Sequence, residues 1–144
     1  MIKKCLIFIT LSFILALPVF NVSCDIDFNI KEQILSKFKS EERMDAAVET
    51  VDLFFHALIE KDYKKAYTFI SVQDRNIKDL GDFEEEMRDV TDIIDIKINW
   101  VEVKDNIAII GVDIMDYYDG SEKLYKDIEV SLIKEEDEWK INFW

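Results

Sequence analysis

A single histidine, His56, limits what imidazole chemistry this chain can do. Two-histidine zinc motifs cannot be built from it. His56 falls at the edge of an apolar helical face with no acidic orienter at helical spacing to make it a general base, and its neighbours Asp52 and Glu60 read as solvent-facing. Asp113, Asp116 and Asp119 recur every three residues, unlike the alternating ligand positions of a calcium loop, and read as a solvated strand end. Glu84, Glu85 and Glu86 sit early in a short helix, where its dipole already accounts for them. Tyr63 and Tyr67 are four apart and share one helix side. A tyrosine there would polarise a carbonyl only if a buried carboxylate moved the proton, and the core-facing strand positions are nearly all aliphatic or aromatic. Glycine stands only at 81, 111 and 120, which excludes a phosphate-cradling loop, and no Gly-x-Ser-x-Gly elbow is present. No catalytic residue, metal ligand set or cofactor is therefore assigned. The remaining candidates are aromatic: Phe55, Tyr63, Tyr67, Trp100, Tyr117 and Trp139 would line an apolar pocket, core packing being their plainer use.

The elements that must carry these residues begin with an address. Lys3 and Lys4 precede an apolar run from Cys5 to Phe20, broken by Pro18 and closed by Asn21-Val22-Ser23-Cys24. That layout predicts a signal peptide over residues 1–23, with Cys24 as the residue lipidated in a bacterial lipoprotein. Asn21 stands where a lipobox usually has Leu, so simple secretion and a retained anchor stay open beside lipidation. Asp25 directly after Cys24 resembles the inner-membrane retention signal of some two-membraned bacteria. Cys5 leaves with the signal and Cys24 is blocked by lipid, so the mature chain needs no disulfide. The expected location is the cell envelope, outside the cytoplasm.

Removing residues 1–23 takes away two lysines and no acids, so 16 basic against 31 acidic residues remain, a net charge of −15. A duplex or an anionic membrane surface would repel such a chain, and no basic cluster interleaved with aromatics appears. Nucleic-acid binding is excluded on that ground; a basic protein partner suits the charge.

Residues 24–42 read as a tether passing into a helical segment, or as a backward extension of the next helix. From Ser40, a plausible N-cap, one broad apolar face runs through Met44, Ala47, Val48, Val51, Phe54, Phe55, Leu58 and Ile59. Asp62 caps a second helix over Tyr63–Ile70, residues 71–75 form a polar connection, and Asp82 caps a third helix through Phe83, Met87 and Val90. The period then changes to two. Ile94, Ile96, Ile98 and Trp100 share one strand face, and Val101 and Val103 have the opposite parity, which predicts a bulge near Trp100. Residues 104–106, Asp119-Gly120 and the charged stretch Glu135–Glu138 read as hairpin turns between four strands. Helices followed by a four-stranded meander give an α+β domain over residues 43–144.

The segment Val51–Tyr67, with Phe55-His56-Ala57-Leu58, Asp62-Tyr63 and Ala66-Tyr67, resembles the opening of small lipoproteins in the nuclear-transport-factor-two-like, cystatin-like superfamily. The closing charged hairpin and Trp139-Lys140-Ile141 resemble how those domains end, although Glu136-Asp137-Glu138 stands where a glycine is usual. The resemblance covers roughly residues 44–144. It implies helices wrapped by a strongly curved four-stranded antiparallel sheet, a cone with an apolar pocket at its open end. It also implies pairing through the outer sheet face, for which Trp144, Val101 and Val103 are the candidates. Ketosteroid isomerase and dehydratases share the cone, but fold alone does not give function. The expectation is a membrane-tethered, non-catalytic module binding a protein partner. A carrier or sensor of a small apolar ligand is the alternative, with a cone isomerase or dehydratase behind both.

Overall fold

The computed structural model describes residues 25–90 and 92–144, so the expected signal peptide and Cys24 lie outside the described residues. Helix α1 spans Asp25–Ile59, 35 residues without a break. Its length is about 52 Å at 1.5 Å per residue. Residues 30–42 are all exposed, Arg43 and Met44 are half-buried, and Ala47 is the first fully enclosed side chain. The stretch read as a tether or helical segment and the apolar face are thus two parts of one helix. Ser40 lies inside α1 rather than capping it; its hydroxyl donates to the Lys37 carbonyl at 2.8 Å. Beyond it Ala47, Val51, Phe54, Ala57 and Leu58 are buried at helical spacing. The helix stops at Lys61, which adopts φ 59°, while Lys61 N–H bonds Leu58 O and Asp62 N–H bonds Ala57 O. This is a Schellman ending with lysine in the place glycine usually takes.

Helix α2, Tyr63–Thr68, is capped as predicted by Asp62, whose carboxylate accepts from Lys65 N–H at 3.0 Å. It ends two residues earlier than the periodicity implies, because Ile70 leaves to form a parallel bridge with Ile141. The stretch read as a polar connection is helix α3, Val72–Ile77, capped by Ser71. Helix α4, Leu80–Val90, starts before Asp82; Asp79 caps it, accepting from Asp82 N–H at 3.0 Å.

The four strands are β1 (Ile93–Lys104), β2 (Ile107–Tyr118), β3 (Ser121–Glu135) and β4 (Glu138–Asn142), antiparallel in the order β1-β2-β3-β4. Ala108, Ile110, Val112, Val130, Leu132, Trp139 and Ile141 pack with the buried side of α1 and with Phe83 of α4. The domain is α+β, helices on one face of a four-stranded sheet. That sheet is open, with β1 and β4 at opposite edges, and is neither closed nor strongly curled. Its bending is local: register shifts fall between Ile93 and Asp95, between Ile98 and Trp100, and between Val112 and Ile114. The β4 edge is covered by residues 69–71, where Ser71 N–H bonds Ile141 O and Ile141 N–H bonds Phe69 O.

The bulge ahead of Trp100 reverses parity one residue earlier than expected. Trp100 pairs with Gly111 on the outer face, and Val101 and Val103 pack against the core instead of forming an outer interface. Trp144 also turns inward, its ring edge-on to Phe83 and Phe143 with the Lys78 Nζ 4.5 Å from its centroid. The three residues expected to pair two copies are therefore not on the outer face.

Candidate functional site

The two layers do not meet everywhere. Between them lies an apolar cleft of about 430 Å³. Phe54, Phe55 and Leu58 from α1 and Met87 from α4 form one wall. Ile93, Ile114, Ile128, Val130 and Ile141 from the sheet form the other, and Phe143 closes one end. Ile128 is 40% exposed, so the cleft opens to solvent past β3. Polar atoms come from Glu86, Glu129, Ser131 and Asn142, and among the described residues no lysine, arginine or histidine lines it. Glu86 is paired with Lys78.

The predicted pocket residues are spread over the molecule. Phe55 lines the cleft. Tyr63 is half-buried beside Leu58, Met87 and Ile93 at a small adjoining gap. Tyr67 packs on Phe83 and donates its hydroxyl to Lys78 O at 2.8 Å. Trp139 is buried and straps α1 to β4, its indole N–H donating to Arg43 O at 3.1 Å. Trp100 and Tyr117 lie on the other face of the sheet, both partly exposed. Those two sit away from the cleft because of bulge placement and strand parity. The residues missed, above all Ile114, Ile128, Val130 and Met87, are aliphatic or flexible side chains. Their one sequence signal was inward parity, which marks core and cleft alike.

His56 does have an acid at helical spacing: its Nε2 lies 3.5 Å from Asp52 Oδ1, with both side chains about half exposed on the solvent side. The aspartate triplet is not one site. Asp113 is on the outer face, Asp119 is in a turn, and Asp116 points inward and is 6% exposed with Oδ1 unpaired. Asp116 is thus a buried acid that the reading of a solvated strand end missed. A second, Asp74, is fully buried and accepts from Phe143 N–H at 2.7 Å, fixing α3 to the chain end. Near it, Arg75, Glu135, Glu136, Glu138 and Lys140 line a polar depression. Lys140 lies 2.8 Å from Glu138 and holds that carboxyl below its ordinary value, and Glu135 accepts from Val72 N–H. Among the described residues no group of three or more His, Cys, Asp or Glu is placed to hold a metal ion, and no helix is long and apolar enough to cross a membrane.

No protein-family model matches the chain, and neither does any curated protein. Solved structures do. A SEC-C motif containing protein from Rhodopseudomonas palustris is similar at 13% identity over 62% of this chain and 69% of its own, with a TM-score of 0.54. Another from Psychrobacter arcticus is similar at 9% identity over 69% of this chain and 60% of its own, with a TM-score of 0.58. A putative NTF2-like transpeptidase from Campylobacter jejuni is 15% identical over 63% of this chain and 92% of its own. Its TM-score of 0.40 is too low to carry a fold assignment. The likeness to the first two is one of fold alone.

Proposed function

We propose that this chain is a membrane-tethered, non-catalytic module of the cell envelope, holding a small apolar molecule in the cleft beneath α1 and α4. The cleft carries the reading. A gap of about 430 Å³, lined by Phe, Leu, Ile, Val and Met and open on one side, has the size and surface of a ligand pocket. Among the described residues its lining includes no cation to receive a carboxylate or phosphate, so an uncharged amphiphile suits it better than a fatty acid. Catalysis finds little support: the Tyr67 hydroxyl is engaged by Lys78 O, and the His56–Asp52 pair stands on the solvent side. The tether rests on the apolar run Cys5–Phe20 and on Cys24.

The test is extraction and mass spectrometry of small molecules that purify with the full chain, beside a Val130→Phe variant that fills the cleft. A neutral amphiphile present with wild type and absent from the variant is the expected result. An equal, empty extract from both withdraws the ligand. Cys24→Ala is expected to shift the chain out of the membrane fraction.

A protein partner remains the second reading, favoured by exposed Trp100, Tyr117 and Leu124 on the outer sheet face of an acidic domain. Crosslinking in intact cells from position 117 is expected to trap a basic protein if that face is used.

A further inference from the structure

The N-terminal half of α1 presents an apolar stripe that the domain does not cover. Ile30, Ile34, Leu35 and Phe38 are 48%, 48%, 66% and 64% exposed. At about 100° per residue these four occupy an arc of about 140°. Lys31 falls within the arc, Lys37 and Lys39 flank it on either side, and Glu32, Gln33, Ser36 and Ser40 take the opposite face. We infer that this stripe lies on the surface of a bilayer carrying anionic headgroups, with α1 running from the membrane up into the domain. This rests on the tethered reading above and names what the tether's first turns touch.

Two observations select that occupant. The first is charge. Residues 30–40 hold three lysines and one acid, net +2, and Asp25 and Asp27 bring the whole of residues 25–40 to neutral, whereas residues 41–144 hold 13 basic and 28 acidic residues, net −15. The stripe is the locally positive part of a strongly negative chain, and lysines at its borders can extend their ammonium groups to headgroups while their stems follow the apolar face. Glu41 and Glu42 fall on the stripe side and end it. Ala47, where the enclosed core begins, is nine residues past Phe38. That is about 14 Å of helix, beyond the Debye length of about 8 Å, so the charge of the domain from Ala47 onward is screened from the contact, while Glu41 and Glu42 lie within that length and set its edge. The second observation is position: Cys24, the residue that carries the lipid in the tethered reading, stands six residues before Ile30, which keeps the stripe close to the bilayer that holds the anchor. A second copy of the helix fits worse. Seven residues beyond Ile30, Ile34, Leu35 and Phe38 stand Lys37, Glu41, Glu42 and Asp45, so no heptad seam continues.

The full chain is reconstituted with phosphatidylcholine–phosphatidylglycerol vesicles, with and without brominated acyl chains, as wild type, Leu35→Trp and Ser36→Trp. Emission above the native tryptophan background is expected to fall about twofold or more for Leu35→Trp and to stay unchanged for Ser36→Trp. A chain that floats with the vesicles while the two positions respond alike overturns the stripe and leaves the tether standing. A wild-type chain that fails to float overturns both. Cys24→Ala that still floats, with Leu35→Trp quenched, upholds the stripe and removes the lipid anchor. Concentration-dependent pairing that shields position 35 from the brominated chains assigns the stripe to a second copy and overturns the proposal.

Discussion

Asp113 ties together two irregularities of the sheet. Its carboxylate accepts from the backbone N–H of Asp127 at 3.0 Å, at the β3 bulge, and from the Asn99 amide at 2.8 Å, at the β1 bulge. The Asp127 N–H is the main reason its carboxyl is held below the ordinary carboxylate value; Asn99 and the charges of Lys97 and Lys126 act in the same direction. A folded-state value below the unfolded one stabilises the fold above the unfolded value of about 3.9, and that contribution fades as pH falls through the folded value. Asp113→Ala is therefore expected to lower the urea midpoint at neutral pH, with the gap to wild type closing in acid. A gap unchanged in acid would mean the side chain acts by packing rather than by charge. Gly111 is a second exacting position. A Cβ there would lie 2.1 Å from Trp100 Nε1, so the indole sits directly over bare backbone. Gly111→Ala should displace the ring and cost about 1–3 kcal/mol, read as a lowered unfolding midpoint with a shift in tryptophan emission. Neither role was legible in sequence, because each depends on which residue a bulge sets opposite which.

At the scale of elements, the signals that held were those whose cause is local. Asp62 as a cap, a bulge near Trp100 and the Asp119-Gly120 turn each follow from a side chain or backbone preference within a few residues. Ser71 and Asp79 were missed as caps because no long apolar period follows either to mark a helix start. Lys61 ends α1 in a conformation that its side chain does not advertise. The last hairpin shows the same tension in a form that can be measured. Glu136 and Asp137 both take positive φ, 46° and 74°, the pattern of a two-residue primed turn that Asn-Gly fills with least strain. The replaced contact is weak, since Asp137 is 99% exposed in its 3.3 Å pair with Lys134. Replacing Glu136-Asp137 by Asn-Gly is expected to raise stability by about 1–2 kcal/mol, seen as a higher denaturant midpoint with unchanged slope. No gain would indicate that the turn relaxes away from positive φ in solution.

The whole molecule was the least legible level. An apolar position facing inward looks the same in sequence whether it meets another side chain or open space, so pattern recovered the α+β layers but not the gap between them. How far a sheet curls is likewise set by the number and register of its bulges, which resemblance to a curved family overstates. The gap itself makes a prediction. Val130 is half-buried, on the core side of β3 and at the cleft wall, where a larger side chain would enter space instead of displacing neighbours. Apolar area newly buried there is worth about 25 cal/mol per Å², so Val130→Phe should add about 1 kcal/mol and raise the melting temperature by roughly 4 °C. A packed core would respond in the opposite direction, losing about 1–3 kcal/mol to overpacking. Thermal unfolding of the variant thus reports on the cleft without knowledge of any ligand. Gained stability together with a lost co-purifying molecule would identify the cleft as space kept open at a cost to the fold. Lost stability would make it part of the core, and the search for what this protein binds would move to the outer face of the sheet.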